Sequence, residues 1–456
     1  MKKTQQHISS YNKAYFIGIG GIGMSAIARY FNNMGWKVAG YDKTETVLTK
    51  KLVAEGIAVH YEDLGPSIPE EFQKDNKTLF IYTPAIPRTL GELCHIQSQN
   101  LPLLKRAEVL GMITRNSIAL GVAGTHGKTT TSTLLAHILD TSPLKCNAFL
   151  GGIATNFNSN FVESKESEFT VIEADEFDRS FLQLTPFASI ITSTDADHLD
   201  IYGDAKEMVE SFQQYAELTN DDGFLIRQIN TEIDAPEAIT YGINCSADYV
   251  GENLKVENGS FFFDLNTPNG KWNKIELGIP GIHNTENAIA CIAMCIELEI
   301  DEKTIRLALK TFLGVKRRFE YHIRTEDTIY IDDYAHHPTE LNALISSVQL
   351  MYPGKTITGI FQPHLFTRTR DFFTDFALQL SRLDEVILLP IYPAREEPIQ
   401  GVTSEALMAE ITQKNKQVLS PSEAIEYCNG KKSDIYLSIG AGDIDRIIEP
   451  LKSVLQ

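Results

Sequence analysis

The chain has 456 residues, which at ~150 residues per domain implies about three domains. Hydrophobic residues make up 43% and charged residues 22%, the balance of a soluble globular protein. Lys+Arg 41 against Asp+Glu 60 leaves a net charge of −19, which argues against a general binder of nucleic acid or of an anionic membrane, so an anionic ligand has to be met by local cations and backbone N–H groups.

In chain order, Ala14–Gly20 predicts a short apolar strand, then a glycine turn and a helix over about Met24–Met34. Lys2, Lys3 and the Ala26-Ile27-Ala28 pattern imitate a leader peptide, but four glycines in the apolar run make a poor signal helix. No other segment approaches the ~20 apolar residues of a membrane span, so a cytoplasmic protein with no membrane insertion is expected. Trp36–Asp42 predicts a second strand, Thr46–Glu55 a helix and Leu79–Thr83 a further strand. This βαβ alternation implies a parallel, Rossmann-like sheet. Gly18-Ile19-Gly20-Gly21-Ile22-Gly23 fits G-x-G-x-x-G between strand and helix, with Asp42 at the end of the next strand. Glycines there let the backbone approach a diphosphate at a helix N-terminus. The pattern specifies a nucleotide diphosphate, and NAD stays among the readings.

The second section opens with the strand Ser117–Ala123, running straight into Gly124-Thr125-His126-Gly127-Lys128-Thr129-Thr130. A glycine loop between strand and helix directs N–H groups at phosphates, a lysine adds a point charge, and a following threonine hydroxyl can reach Mg²⁺. The strict P-loop pattern asks for Gly at position 122, which is Val here. Two predicted strands downstream end in carboxylates, Glu173-Ala174-Asp175-Glu176 and Asp195-Ala196-Asp197-His198, the hard oxygens that a metal–nucleotide needs. Residues 223–278 alternate apolar and polar and carry the hairpin signals Asn258-Gly259 and Asn269-Gly270, predicting a small antiparallel sheet beside the parallel one. Helices at about Asn284–Leu298 and Glu302–Phe312 close the section. The six cysteines form no CxxC pair and read as reduced structural thiols.

Gly314-Val315-Lys316-Arg317-Arg318 reads as a basic hinge. Beyond it the α/β pattern returns, with predicted strands at Thr328–Ile331, Thr356–Phe361, Glu385–Pro390 and Ile435–Ile439. Asp332-Asp333-Tyr334-Ala335-His336-His337-Pro338 follows one strand, and Gln362-Pro363-His364 with Arg368-Thr369-Arg370 follows another, placing cations where carboxylates or phosphates can be held.

Taken together and in order, GIGGIGMSAIA (18–28), GTHGKTTT (124–131), EADEFDRSFL (173–182), DADHLDIYG (195–203), GIHNTENA (281–288), GVKRRFE (314–320), DDYAHHPTE (332–340), FQPHLFTRTRD (361–371) and GAGDI (440–444) resemble the Mur ligases over essentially the whole chain. The first motif points to the L-alanine-adding branch. The resemblance implies an α/β protein of three domains: a Rossmann-like UDP-sugar domain (1–113), a central P-loop ATPase domain (114–313) and a Rossmann-like amino-acid domain (314–456). The implied reaction joins the carboxylate of UDP-N-acetylmuramate to L-alanine through an acyl phosphate, using ATP and Mg²⁺, in peptidoglycan precursor synthesis. The partners are thus small molecules, and monomer and homodimer both stay open. By the same resemblance, Gly18, Gly20, Gly21, Gly23, Met24, Ser25, Asp42, Thr83, Pro84 and Arg106 meet the UDP-sugar. Gly124 to Thr130, with His283, Asn287 and Arg318, meet ATP, and Lys128 lies on the transferring group. Thr129 and Glu173 hold one Mg²⁺ and His198 a second, and Tyr334, His336 and Arg368 form the amino-acid site. Leu365 stands where many relatives carry Arg, and Ala335 and Phe177 are further departures. Three rival readings remain: a ligase that joins a recycled tripeptide to the same sugar nucleotide, an NAD-dependent dehydrogenase built on the first glycine loop, and a non-catalytic nucleotide-binding regulator.

Overall fold

The alternation of buried runs with glycine turns produces three sheets. In the computed structural model, which describes residues 8–74, 76–195, 202, 204–257, 259–394, 396–431 and 433–456, the first sheet has five strands. They are β1 (Lys13–Ile17), β2 (Lys37–Tyr41), β3 (Ala58–His60), β4 (Thr78–Tyr82) and β5 (Leu103–Lys105), in the order β3-β2-β1-β4-β5. Every pairing is parallel. The reversal of strand order at β1 and β4 opens a crevice at their carboxyl ends, where doubly wound sheets bind ligands. The first helix, Ile22–Asn33, starts there. A later helix, Val47–Ala54, starts at a reciprocal cap: the Thr49 N–H donates to the Thr46 hydroxyl at 3.2 Å, and the Thr46 N–H donates to the Thr49 hydroxyl at 2.8 Å. That satisfies two orphan donors of the helix end.

The second sheet contains β6 (Ile118–Ala123), β7 (Asn147–Ala154), β8 (Ser159–Val162), β9 (Phe169–Glu173), β10 (Ala188–Ile191), β11 (Phe224–Gln228), β12 (Ile239–Ile243), β13 (Tyr249–Glu257), β14 (Ser260–Thr267) and β15 (Gly270–Leu277). Its order is β15-β14-β13-β12-β11-β10-β6-β9-β7-β8. Strands β6, β9 and β10 are nearly continuous apolar runs, as expected where both faces are covered. The antiparallel strands expected beside the parallel ones are the hairpins β13–β15. They are hydrogen-bonded into one continuous sheet, because β11, β12 and the start of β13 extend the parallel pairing outward. Asn258 of the first hairpin signal lies outside the described residues.

The third sheet comprises β16 (Glu320–Arg324), β17 (Ile329–Asp333), β18 (Ile357–Phe361), β19 (Glu385–Leu388), β20 (Lys416–Val418) and β21 (Ile435–Ile439), ordered β16-β17-β21-β18-β19-β20. All pairings are parallel except β16 with β17. Strand β16 begins two residues after the basic hinge and carries a register shift between Tyr321 and Ile323, which breaks the alternation that marks a strand in sequence.

The chain forms two compact units. One extends to Gly251 and adds Leu265–Lys271 and Asn287–Leu309; the other comprises Glu252–Asp264, Trp272–Glu286 and Lys310–Gln456. We call them unit 1 and unit 2. Cys146, Cys291, Cys295 and Cys428 are buried free thiols. Among the described residues, no helix is long and apolar enough to cross a membrane.

Candidate active site

In unit 1 the first glycine turn leaves β1 with Gly18 at φ +88°, a conformation that L-residues with side chains rarely adopt. A Cβ on Gly18 would also lie 3.0 Å from the Thr83 methyl, and one on Gly23 would lie 2.5 Å from Nη1 of Arg106. Thr83 and Arg106 therefore stand against the turn, while Pro84 is exposed in the following loop. Met24 and Ser25 are buried in the first helical turn. The N–H groups of Ile22, Gly23 and Met24 precede the first helical bond, which Ser25 makes to the Gly21 carbonyl at 2.8 Å, and leave a partial positive charge facing the crevice. The Gly20 N–H is directed elsewhere: it donates to Asp42 Oδ2 at 2.7 Å, so Asp42 shapes the turn.

The second glycine loop explains its own departure from the strict pattern. Position 122 still belongs to strand β6, where Val122 is fully buried and faces Glu173 in the register of β9. The turn begins only at Gly124, φ +135°, and ends at Gly127, φ +82°. A Cβ would meet the Thr192 hydroxyl at 2.0 Å from Gly124 and the Asn287 carboxamide oxygen at 2.6 Å from Gly127. The loop is braced by the end of β10: Thr125 Oγ1 donates to the Asp195 carbonyl at 2.7 Å, and the His126 N–H donates to Ser193 Oγ at 2.9 Å. His126 Nε2 lies 3.5 Å from the Asp195 carboxylate. Thr130 is buried in the first turn of the helix Lys128–Thr141.

Lys128 is the charged centre of this loop. Its Nζ donates to the carbonyls of Gly124 at 2.6 Å and Thr125 at 3.2 Å, and pairs with Glu176 at 2.8 Å. Burial pulls the Lys128 ammonium downward in pKa, but Glu176, Asp175 and Glu173 outweigh it and hold the pKa above the ordinary lysine value. Burial pushes the Glu176 carboxyl up to about 7, with Lys128 pulling against that rise. Sequence reasoning placed Glu176 in an acidic cluster without assigning it to Lys128; only the parallel register of β6 and β9 brings them together. Thr129 Oγ1 donates to Glu173 Oε1 at 3.0 Å, and the Gly151 N–H donates to Glu173 Oε2 at 2.9 Å. A hydroxyl beside a carboxylate at a phosphate-cradling loop is a donor set that fits Mg²⁺. His198 lies outside the described residues.

A cavity of about 130 Å³ lies between the first helical turn and the strand ends that carry the P-loop carboxylates; Ile22 and Gly23 line it from one side and Gly151, Glu173 and Asp175 from the other. Arg106 lines it too and donates from Nη2 to Asp175 Oδ2 at 3.0 Å. The carboxylates around Lys128 and the turn that faces the crevice thus open onto one space.

Unit 2 holds the other predicted residues. His336 is half-buried, and desolvation lowers its pKa to about 4 against an upward pull from Glu340, so the ring is neutral at pH 7. Its Nδ1 lies 2.9 Å from the Tyr334 carbonyl; a carbonyl only accepts, so the proton sits on Nδ1 and Nε2 keeps its lone pair. The guanidinium groups of Arg317 and Arg318 lie 5.1 and 5.0 Å from the Tyr334 ring centroid. Arg318 also approaches Glu340 at 3.5 Å, whereas Arg317 is tied to the fully buried Asp332 at 3.2 Å. Of the basic hinge, Arg317 therefore serves the fold. Arg368 is buried on the short helix Phe366–Asp371, and the residue before that helix, Leu365, has φ +72°. His283 is half-buried, with Arg318 and Glu340 the charged groups acting on it; desolvation first, then Arg318, lowers its pKa to about 4, against a smaller upward pull from Glu340. Glu320, His322 and Asp332 also converge, but the backbone N–H of Arg317 donates to Glu320 and its guanidinium to Asp332, so this cluster reads as an ion-pair network.

A doubly wound sheet with a phosphate turn, joined to a P-loop sheet with two carboxylates at its phosphate cradle and followed by a third α/β sheet, has the parts of a nucleotide-dependent enzyme. The chain belongs to the Mur ligase family. Family models match residues 13–117 (Mur ligase family, catalytic domain), 122–295 (Mur ligase middle domain) and 317–442 (Mur ligase, glutamate ligase domain). The chain is 47% identical over 453 residues to the UDP-N-acetylmuramate--L-alanine ligase of Parabacteroides distasonis, covering 98% of each. It is 48% identical over 451 residues to the enzyme of the same name from Porphyromonas gingivalis strain W83, covering 97% of this chain and 99% of that one. Among solved structures, the UDP-N-acetylmuramate-alanine ligase of Thermotoga maritima superposes with a TM-score of 0.83 at 26% identity, over 97% of this chain and 98% of that one. A murein peptide ligase from Psychrobacter arcticus shares the fold, with a TM-score of 0.70 at 21% identity, over 97% of this chain and 98% of that one.

Proposed function

We propose that this chain joins the carboxylate of UDP-N-acetylmuramate to L-alanine at the expense of ATP, in peptidoglycan precursor synthesis. The observation that carries the reading is the cavity onto which both the diphosphate-facing turn and the carboxylates Glu173 and Asp175 open, Glu173 being hydrogen-bonded to Thr129 of the P-loop. Full-length relatives at 44–48% identity are named for the L-alanine reaction, which favours it over the tripeptide-recycling activity. The dehydrogenase reading leaves the P-loop carboxylates without a task.

A carboxylate resists attack because its charge repels nucleophiles and oxide is a poor leaving group. Its oxygen attacks the γ-phosphorus of ATP, ADP leaves, and the acyl phosphate that results is open to the amine of alanine, with inorganic phosphate departing. The protein's share is positioning and charge neutralisation. We assign Gly18 to Ser25, with Asp42, Thr83, Pro84 and Arg106, to the UDP-sugar, and Gly124 to Thr130 with His283, Asn287 and Arg318 to ATP. Lys128 offsets charge on the transferring phosphoryl group, and its ion pair with Glu176 has to yield as the γ-phosphate arrives. Thr129 and Glu173 would hold Mg²⁺, which when bound neutralises phosphate charge; His198 is assigned to a second ion. Tyr334, His336 and Arg368 are assigned to alanine: the Arg368 guanidinium suits its carboxylate, and the lone pair on His336 Nε2 suits a proton from its ammonium. The three-part division at 1–113, 114–313 and 314–456, a cytoplasmic location and a monomeric or homodimeric state complete the proposal.

The test is phosphate release measured with UDP-N-acetylmuramate, ATP and a panel of L-Ala, L-Ser, Gly and the recycled tripeptide, with the product weighed by mass spectrometry. The reading predicts release that depends jointly on the sugar nucleotide and L-Ala, with a product heavier by one alanine residue. Release with the tripeptide alone would reassign the enzyme to recycling.

A further inference from the structure

We infer that Asn160, a member of neither glycine loop, is a positioning residue that fixes the diphosphate-facing turn against the strands carrying Glu173. The inference rests on the reading of Gly18–Ser25 as the UDP-diphosphate turn. Asn160 lies in β8 and is fully buried. Its carboxamide is committed to the first helix: Oδ1 accepts from Nη1 of Arg29, and Nδ2 donates to the Ile22 carbonyl and, at 2.9 Å, to Ser25 Oγ. Ser25 Oγ donates in turn to the Ile22 carbonyl at 2.9 Å. Arg29 is itself locked by two parallel bonds to Glu55, at 2.7 and 2.9 Å. One side chain therefore reads both the first turn of the helix and its second, and fixes the roll of the helix as well as its position.

The same hairpin reaches the P-loop carboxylate. Strand β7 pairs with β8 through Phe149 and Phe161 and with β9 through Phe149 and Ile172, and the Gly151 N–H on β7 holds Glu173. The β7–β8 hairpin, whose register shifts between Phe149 and Ala154, thus carries both the side chain that holds the Ile22 carbonyl and the N–H that holds Glu173. Transfer between two separately bound substrates is sensitive to displacements of about 1 Å, and Asn160, together with Arg106 on the opposite side, holds the sugar-nucleotide turn in place relative to the carboxylate. A buried amide that served only the core would have no reason to affect one substrate more than another.

Asn160→Ala removes all three contacts, whereas the near-isosteric Asn160→Asp keeps an acceptor for Arg29 and removes both donations. In steady-state assays, Asn160→Ala should raise the KM for UDP-N-acetylmuramate about tenfold and lower kcat several-fold, with KM for ATP and for alanine within about twofold. Asn160→Asp should show the same one-substrate shift although the Arg29 contact is kept, and it carries the test if the alanine variant fails to fold. Unchanged KM and kcat in folded variants, whatever their melting temperature, would overturn the inference, as would an equal rise in all three KM values. Wild-type turnover separates the two claims: no dependence on UDP-N-acetylmuramate in the wild type would sink the diphosphate reading itself, whereas a responsive wild type with unresponsive variants would sink only the role of Asn160.

Discussion

The two glycine-rich turns of unit 1 share a local plan, strand to turn to helix, with left-handed glycines at Gly18 in one and at Gly124 and Gly127 in the other. They differ in where the charge comes from. The first turn contains no cation; Arg106 reaches it from a separate helix and is already paired with Asp175 at 3.0 Å, and Asp42 takes up the Gly20 N–H. The second carries Lys128 within itself, ringed by Glu173, Asp175 and Glu176. A turn that offers backbone dipoles and a restrained cation holds a diphosphate without breaking it. A turn that adds an ammonium of its own and metal-type oxygens can stabilise charge that builds up during phosphoryl transfer. Holding and cleaving a phosphate are thus set by what surrounds the same backbone shape.

The contrast can be broken most sharply at Lys128. Lys128→Ala should lower kcat by about three orders of magnitude while leaving binding of UDP-N-acetylmuramate, measured by calorimetry, near the wild-type value. The fold should survive, because burial has already raised the Glu176 pKa to about 7 and the abandoned carboxyl can take up a proton. Wild-type-like turnover, or a matching loss of sugar-nucleotide binding, would dissolve the distinction. Glu173→Gln should cost about one to two orders of magnitude in kcat and move the Mg²⁺ titration to higher concentration; an unchanged titration would remove Glu173 from the metal. Arg106→Ala should raise the KM for UDP-N-acetylmuramate about tenfold with KM for ATP unchanged, and a shift in the ATP value instead would mean that the two loops do not divide the work.

An effect of a different kind lies outside both loops and is read as stability against pH. His283 has a folded pKa near 4 against an ordinary 6.5, so between those values the unfolded chain binds more protons than the folded one, and stability falls as pH drops from 6.5 toward 4. Replacing His283 by Gln should remove that contribution, on the order of 3 kcal/mol across the window, and flatten the acid side of the stability profile. Asp333, raised by burial to about 6, titrates in the opposite sense and stays in both proteins, so the difference between them isolates His283. Parallel profiles would show that His283 is solvated.

The contrast between the loops was legible in the sequence at the level of backbone. Gly18, Gly124, Gly127 and the strand end at Ala123 follow from glycine's access to positive φ and from apolar runs, both local properties, whereas the first strand, expected to reach Gly20, ends at Ile17 because Gly18 already turns the chain. The partners were not legible, because they depend on register. Glu176 meets Lys128 only once β6 lies beside β9, and Asn160 meets Ile22 only once the β7–β8 hairpin lies against the first helix. The hinge arginines illustrate the same limit: Arg317 and Arg318 are adjacent in sequence, yet Arg317 is tied to buried Asp332 and Arg318 approaches Glu340. Strand β16 escaped notice because its register shift breaks the two-residue period.

The central claim, that the P-loop activates the carboxylate of the substrate held at the other turn, is tested most directly by isotope transfer. UDP-N-acetylmuramate labelled with ¹⁸O in its carboxylate is turned over with ATP and L-alanine, and the released phosphate is analysed by mass spectrometry. The account predicts one carboxylate-derived ¹⁸O in each phosphate, carried across in the acyl phosphate. Unlabelled phosphate alongside full formation of the amide would contradict it.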